Sequence, residues 1–190
     1  MKKAEGLKKA KGPKKTTGPK KTKGFSLIEL LVAVLVMGIG VLGISGLQMV
    51  SLQHNRGALF RAEGVQLAYD MLDRIRANPA GAVPGLAYDG IDMDDGPPAA
   101  ADCYANVCSQ AQMVTYDQAV WKCTLGGFHE DGVCQGLRNA EMLPPTDQQP
   151  GLPNGDGSIS VNAGTGIITV SVRWTENNNQ IRTIVIESQG

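Results

Sequence analysis

The most prominent hydrophobic feature of the chain is a long apolar run near its start. Over residues 25–52 almost every position is apolar, and Glu29 is the only charged residue. The run exceeds the roughly 20 residues that a helix needs to cross a bilayer. It is also longer than the roughly 7–15 apolar residues of a secretory signal, and no A-x-A cleavage site closes it. We therefore interpret residues 25–52 as a transmembrane helix.

A helical stripe of apolar residues continues beyond this run. Its members recur at spacings of three and four positions, which is typical of an amphipathic helix. They are Leu59, Ala62, Ala68, Met71, Leu72 and Ile75. Pro79 disfavours helical geometry at Asn78, and Gly81 follows. The pattern therefore predicts one helix over residues 26–77.

The C-terminal part of the chain has the alternating pattern of half-buried strands. Apolar and polar residues alternate over 167–174, and 181–187 is its predicted hairpin partner after a turn at 177–179. With a short strand at 158–161, this predicts at least three antiparallel strands, packed on the outer half of the long helix.

Two further segments are predicted between the helix and the strands. Residues 80–102 are rich in Gly, Pro, Asp and Ala, which predicts a loop across the surface. The acidic stretch 92–96 within it lacks the full calcium-loop pattern and is predicted to be solvated. Residues 109–122 favour a short helix with Ser109 as N-cap and Trp121 in the core.

These elements predict the α+β class, with a long N-terminal α-helix on a small C-terminal antiparallel β-sheet domain. The helix is transmembrane in its first half and amphipathic in its second. We divide the chain into a basic leader (1–24), a transmembrane helix (25–52), its amphipathic continuation (53–78) and an α+β head domain (79–190).

Charge is distributed very unevenly around the apolar run. Residues 1–24 contain ten lysines and one acid, Glu5, which gives +9, and the remaining residues carry −9. A basic segment directly before an apolar run is typical of the cytoplasmic flank of a membrane helix. We therefore expect a cytoplasmic N-terminus and a periplasmic head domain, and no nucleic-acid partner.

The four cysteines all follow the apolar run, and their even number predicts two disulfides in an oxidising compartment. They are Cys103, Cys108, Cys123 and Cys134. Their spacing lacks the C-x2-C pairs of zinc sites, so no metal is expected. The predicted helix would hold Cys108 and Cys123 about 22 Å apart, which disfavours that pair. We prefer 103–108 with 123–134, and the crossed pairing 103–123 with 108–134 remains open.

The sequence contains no recognisable catalytic constellation. His54 and His129 have no Ser or Cys nearby in a nucleophile motif. No pair of carboxylates has a spacing that indicates a general acid and base. We therefore expect neither an enzyme nor a cofactor.

The stretch G-F-S-L-I-E-L-L-V-A (24–33) resembles the prepilin-type cleavage and methylation motif of type IV pilins and type II secretion pseudopilins. Gly24 matches the residue before the scissile bond, Phe25 the new N-terminus, and Glu29 the glutamate at the fifth mature position. In that family a membrane aspartyl peptidase removes the leader and methylates the new amine. The resemblance implies that Glu29 pairs with the N-terminal amine of a neighbouring subunit.

A narrower resemblance, to PilV-type minor pilins (type IV pilus modification proteins), covers later segments. It is carried by L-A-Y-D-M-L-D-R-I-R-A-N-P (67–79), by Asp117 and Trp121 after Cys108, and by G-I-I-T-V-S-V-R-W (166–174). The chain departs from that group at 122–135 and between Pro144 and Gly155.

This resemblance implies a minor pilin that primes pilus assembly and modulates adhesion. The expected partners are the prepilin peptidase, other minor pilins, the major pilin and the inner membrane, before incorporation into the pilus at the cell surface. The alternatives are a type II secretion pseudopilin and a membrane-anchored periplasmic binding domain that never polymerises.

Overall fold

The computed structural model describes residues 24–78, 85–143, 151–176 and 179–189. The leader before Gly24, the start of the predicted 80–102 loop and two positions of the predicted 177–179 turn lie outside the described residues. The chain divides into two compact units, Met1–Gln48 and Met49–Gly190.

Helix α1 spans Leu27–Ala77, close to the predicted bounds. It begins directly after Ser26, whose carbonyl oxygen accepts a hydrogen bond from the amide of Glu29 at 3.0 Å. Arg74 and Arg76 lie in its last turn. Positive charge is favourable there because the helix dipole is negative at its C-terminal end.

The predicted apolar stripe of α1 is buried only in its later part. The buried members are Ala68, Met71, Leu72 and Ile75. Leu59 is 67% exposed and Ala62 is exposed, so the prediction is wrong for these two residues. Phe60 packs against the core in their place. The helix therefore contacts the domain through a neighbouring strip at this level.

Three antiparallel strands form the sheet, in the order β1-β2-β3. Strand β1 spans Asp156–Val161, β2 spans Ile167–Thr175 and β3 spans Ile181–Gln189. Each includes its predicted segment and extends it by one or two residues. The predicted α+β class is therefore confirmed.

One face of the sheet carries most of the core. Its buried side chains on β1 and β2 are Ile159, Val161, Ile168, Val170, Val172 and Trp174. Helix α1 approaches this face closely at Gly64. A Cβ atom there would lie 3.1 Å from Cζ3 of Trp174 and 3.2 Å from Cδ1 of Ile184. The missing side chain therefore lets the helix and the sheet pack tightly.

Helix α2 spans Gln110–Leu125 and begins with the predicted cap. Ser109 and Gln112 form a reciprocal capping box, in which each side chain accepts a hydrogen bond from the other's backbone amide. Trp121 is fully buried, as predicted, and its Nε1 donates to the carbonyl oxygen of Leu67 at 2.9 Å. This contact joins α2 to α1.

The segment before α2 contributes to the core, so the prediction of a surface loop over 80–102 is wrong for part of it. Leu86–Tyr88 forms a 3-10 turn, and the Tyr88 side chain is fully buried. Ile91 is also buried, and its carbonyl oxygen accepts a hydrogen bond from the amide of Ile159 at 2.9 Å. The segment thus extends the sheet beside β1.

A third helix, α3, spans Gly132–Asn139 and was not predicted. Asp131 caps it, because its side chain accepts a hydrogen bond from the amide of Val133 at 2.8 Å. Cys134 and Leu137 are buried in a second, smaller apolar cluster with Ala119 and other residues of α2.

Candidate functional site

The first part of α1 has no packing partner among the described residues. Every residue from 25 to 52 is exposed, and the large apolar side chains among them are 53–82% exposed. By length and composition α1 could cross a membrane, with a mean hydropathy of 2.7 over its most apolar window. Contiguous exposed apolar surface of this size marks a membrane or protein contact.

The three predicted processing residues lie together at the start of this surface. Gly24 and Phe25 precede the helix, and Phe25 is 81% exposed. The bond between them is therefore outside regular secondary structure. Glu29 lies in the first turn of α1, where the positive end of the helix dipole favours a carboxylate. An amine created at Phe25 would lie one helical turn before Glu29 along the chain.

Glu29 takes no part in the ion pairs found among residues 24–78, 85–143, 151–176 and 179–189. A carboxylate in apolar surroundings is costly unless it is paired or reaches water. The arrangement can therefore accept a cation from another molecule.

Four glycines lie along the apolar part of α1, at Gly38, Gly40, Gly43 and Gly46. A Cβ atom added at any of them would meet nothing within 4 Å in the described part of the chain. Packing within the chain therefore does not require these glycines. Small residues at such positions let the backbones of two membrane helices approach each other.

A buried polar cluster fixes the C-terminal end of α1 to α2. Arg74 Nη1 donates to Oδ1 of Asp117 at 3.2 Å, and the hydroxyl of Tyr88 donates to Oδ2 of the same carboxylate at 2.7 Å. Asn78 Nδ2 donates to the Tyr88 hydroxyl and to the carbonyl oxygen of Gln110, both at 3.0 Å. The cluster therefore satisfies the polar groups where the two helices meet.

The environment of Tyr88 strongly favours its neutral form. Burial, and then the hydrogen bond to Asp117, raise the pKa of Tyr88 above its usual range. The raised pKa extends the range over which the hydroxyl can donate to Asp117 into alkaline pH. The role of Asp117, which the PilV resemblance had marked, is thus to join three elements of the fold.

A second buried cluster lies between α2 and the start of β1. Lys122 is fully buried, and its Nζ lies 2.7 Å from Oδ1 of Asp156 and 2.9 Å from the carbonyl oxygen of Asp92. Oδ2 of Asp156 accepts from Nη2 of Arg173 at 3.1 Å and from the amide of Asp94 at 2.6 Å. The amide of Gly157 also donates to Oδ1 of Asp156 at 2.7 Å. The buried carboxylate therefore receives hydrogen bonds from two cations and two backbone amides.

The acidic stretch 92–96 is solvated as predicted, since Asp92, Asp94 and Asp95 are all exposed, and it also contacts this cluster. Asp94 forms an ion pair with Arg173, and the hydrogen bond from this guanidinium lowers the pKa of Asp94. No group of three or more potential metal ligands occurs among the described residues.

Both disulfides of the structure join cysteines that are near in sequence. Cys103 pairs with Cys108, and Cys123 pairs with Cys134. This is the pairing that the sequence favoured over the crossed alternative. The second bridge ties the end of α2 to α3, and both of its cysteines are buried. The first closes a loop whose residues from Tyr104 to Val107 are exposed.

The two histidines lie in different places and do not form a common site. His54 is on an exposed position of α1, and His129 lies in the turn before α3 with its Nε2 2.7 Å from Oε1 of Glu130. Neither contacts the two buried clusters described above.

Two family models match consecutive parts of the chain. The prokaryotic N-terminal methylation motif matches residues 19–45, which include Gly24, Phe25 and Glu29. The model described as type IV pilin Tt1218 matches residues 46–119, from the middle of α1 into α2. Neither the curated proteins nor the solved structures gave a match.

An exposed apolar N-terminal helix joined to an α+β domain is the architecture that the resemblance to pilins implied. The two matches together span residues 19–119 and include the predicted processing motif. The chain is therefore a type IV pilin-like protein. The pilin families are structural, and the prepilin motif implies processing by a prepilin peptidase and assembly with other pilins.

Proposed function

We propose that this chain is a minor pilin of the type IV pilus, of the PilV type, that helps to initiate assembly. The observation that carries the proposal is the methylation motif at the start of an apolar run, residues 25–52, whose side chains are all exposed. In the proposal the peptidase cuts between Gly24 and Phe25 and methylates the amine of Phe25. Residues 25–52 then anchor the chain in the inner membrane, with the head domain in the periplasm.

Assembly would follow from packing residues 25–52 against the helices of neighbouring pilins. In the pilus this surface would be buried against the helices of neighbouring subunits. The four glycines would allow the backbones of these helices to approach each other closely. Glu29 would pair with the N-terminal amine of a neighbour. Because this amine exists only after cleavage, processing would control assembly. The exposed head domain would be available to modulate adhesion once the subunit is in the pilus.

The decisive experiment measures the intact mass of the protein purified from cells with and without the peptidase. We expect a chain that begins at N-methylated Phe25 in the first case and retains its lysine-rich leader in the second. A full-length chain in peptidase-containing cells would contradict the proposal. It would instead favour a membrane-anchored periplasmic binding domain that never polymerises.

A second measurement separates the two kinds of filament. The processed chain is purified under mild conditions, and the proteins that accompany it are identified. Pilus components, including the major pilin and other minor pilins, are the expected result. Recovery of secretion components alone would show that the chain is a type II secretion pseudopilin.

A further inference from the structure

The second compact unit has a groove where its chain leaves the apolar run. It lies between residues 53–61 of α1 and residues 174–176 and 181–183 at the facing ends of β2 and β3, and has a volume of about 670 Å³. A smaller recess of about 240 Å³ shares His54, Gly57 and Arg182 with it. We call this surface the basic groove, because arginines line it from both sides.

The charge of the basic groove differs from that of its surroundings. Residues 25–190 carry eight basic and seventeen acidic residues, a net charge of −9. Yet Arg56, Arg61 and Arg182 all line the groove or its recess, and Glu176 is the single acid that does so among the described residues. Glu176 lies 3.3 Å from Arg182. A cationic surface on an acidic domain needs an anionic partner.

Arg56 and Arg61, the two arginines that α1 contributes to the groove and its recess, have no such partner in the described part of the chain. The ion pairs there use Arg74, Arg76, Lys122, Arg173 and Arg182, and neither Arg56 nor Arg61. Both are exposed. Glu63, the nearest acid along the helix, accepts a hydrogen bond from the amide of Gly151 at 2.9 Å. The guanidinium groups of Arg56 and Arg61 are therefore available to a ligand.

The groove also offers apolar surface. Ile181 lines the groove and is 65% exposed, and Phe60 lines the recess. Trp174 forms part of the wall. A ligand that combines an anion with apolar groups fits this mixture better than a free anion does.

We propose that the basic groove binds the phosphodiester head group of an anionic lipid in the leaflet where the apolar run ends. Gln53 directly follows that run in sequence, so chain connectivity keeps the groove within a few residues of the membrane surface. Guanidinium groups bind phosphate oxygens in a bidentate geometry. The inference rests on the membrane anchoring of the proposed function. The inference goes beyond that function by naming a class of lipid, which would hold the unassembled subunit at a fixed depth in the membrane.

The test uses the processed full chain, because the lysine leader would itself attract anionic lipid. The protein is reconstituted in vesicles of equal parts phosphatidylglycerol and phosphatidylcholine, and the lipids that remain bound after gradual delipidation are counted by native mass spectrometry. We expect enrichment of phosphatidylglycerol. Arg61→Gln, and separately Arg182→Gln, should each lower that enrichment about fivefold.

Arg76→Gln is the matched control, because it removes the same charge from the same helix outside the groove. Its enrichment should equal that of the unsubstituted chain. An equal loss in Arg61→Gln and Arg76→Gln, or no enrichment in any variant, would overturn the proposal. Displacement of phosphatidylglycerol by inorganic phosphate would identify a simple anion site. If the chain self-associates in phosphatidylcholine and Arg61→Gln abolishes this association, the occupant of the groove is a second copy of the chain. Displacement by phosphate and self-association would each overturn the proposal of lipid binding.

Failure of the membrane anchor gives a different result. A chain without its anchor leaves vesicles of pure phosphatidylcholine during sedimentation, whereas an anchored chain without the lipid site stays with them and shows no lipid preference. The sedimentation and the mass measurement on one preparation therefore separate the two ideas.

Discussion

The apolar run of α1 and the core of the second compact unit contain similar side chains in opposite environments. Leucine, isoleucine and valine side chains over residues 25–52 are more than half exposed, whereas those on the helix-facing side of β1 and β2 are almost fully buried. The same residue types therefore serve a contact outside the chain in one region and folding in the other. Exposure, not composition, distinguishes the two.

Charged groups show the same contrast. In the described part of the second unit each buried charge has a partner, as Lys122 has Asp156 and Asp117 has Arg74. In the apolar run Glu29 has no partner among the described residues. Burying an unpaired charge is costly, so a charged residue in such a run points to a partner supplied from outside the chain. Substitutions in the apolar run should consequently affect assembly, and substitutions in the second unit should affect the free energy of unfolding.

The largest expected effect is on assembly, from Glu29→Ala. We expect cleavage to continue and the amount of the chain in sheared pili to fall by about tenfold or more, because breaking a desolvated ion pair costs several kcal/mol. Unfolding of the head domain in urea should not change. Ser45→Ala, which alters another polar side chain of the same run, is the control and should assemble normally. Normal incorporation of Glu29→Ala would remove the pairing hypothesis.

A substitution at Gly155, in the packed region, should affect the stability of the head domain and not assembly. A Cβ atom there would lie 1.8 Å from the carbonyl oxygen of Leu125, so the backbone must move. Gly155→Ala should lower the free energy of unfolding by about 3 kcal/mol or more, measured by urea titration in detergent. Gly96→Ala, at an exposed loop position with nothing within 4 Å, should change it by less than about 0.5 kcal/mol. Equal effects would contradict the tight packing of this loop on α2.

The elements that the sequence predicted well are those with a regular period. The bounds of α1 follow from its long apolar pattern and from the proline after Asn78, and β2 and β3 follow from their alternation. The cap at Ser109 was predictable because a capping box is a local signal. The length of α2 also excluded one disulfide pair, since it fixes the distance between its two ends.

The features that escaped prediction lack such a local signal. Helix α3 contains Gly132 and Gly136 within eight residues, and glycine disfavours helix, so only its contacts with α2 explain it. Tyr88 and Ile91 lie in a stretch with the composition of a loop. Their burial depends on partners such as Ile159 that are far away in sequence.

The buried charges were unpredictable for the same reason. Lys122 and Asp156 are separated by 34 residues, and no periodicity relates them. The basic groove likewise brings Arg61 and Arg182 together from opposite ends of the second unit. In contrast, Gly24, Phe25 and Glu29 form a continuous motif, and this is why the sequence alone indicated the processing site.

The disulfides are expected to matter for the head domain and not for the membrane helix. Replacing Cys123 and Cys134 together with Ala should lower the free energy of unfolding by about 3 kcal/mol, because the bridge closes a loop and both residues are buried. Replacing Cys103 and Cys108 should cost about 2 kcal/mol, since that loop is shorter and the cysteines are only half-buried. Urea titrations under non-reducing conditions measure both values.

Vesicle sedimentation of the same two double variants sharpens the comparison. Both should remain with the membrane as the unsubstituted chain does, because residues 25–52 carry no cysteine. A loss of membrane retention in either variant would show that the two regions depend on each other, contrary to the expectation.

The smallest expected effect is a pH dependence at Tyr88. Its folded-state pKa is raised above the unfolded value of 10.0 by burial and by the hydrogen bond to Asp117. The native state therefore keeps the proton where the unfolded chain has lost it. The corresponding stability is fully present below about pH 10 and is lost as the pH rises through the folded-state pKa. Tyr88→Phe should cost about 1 kcal/mol at neutral pH, from the lost hydrogen bonds.

Urea titrations between neutral and alkaline pH measure this difference directly. Above about pH 10 the advantage of the unsubstituted chain over Tyr88→Phe should shrink steadily, because only the tyrosine has a proton to lose. Tyr104→Phe makes the same change at a side chain that is 73% exposed, and it should follow the unsubstituted chain at every pH. If Tyr88→Phe also follows it, the hydroxyl does not join α1 to α2. The polar cluster at the end of α1 would then add little to the free energy of unfolding. Burial of the apolar stripe would instead hold α1 and α2 together.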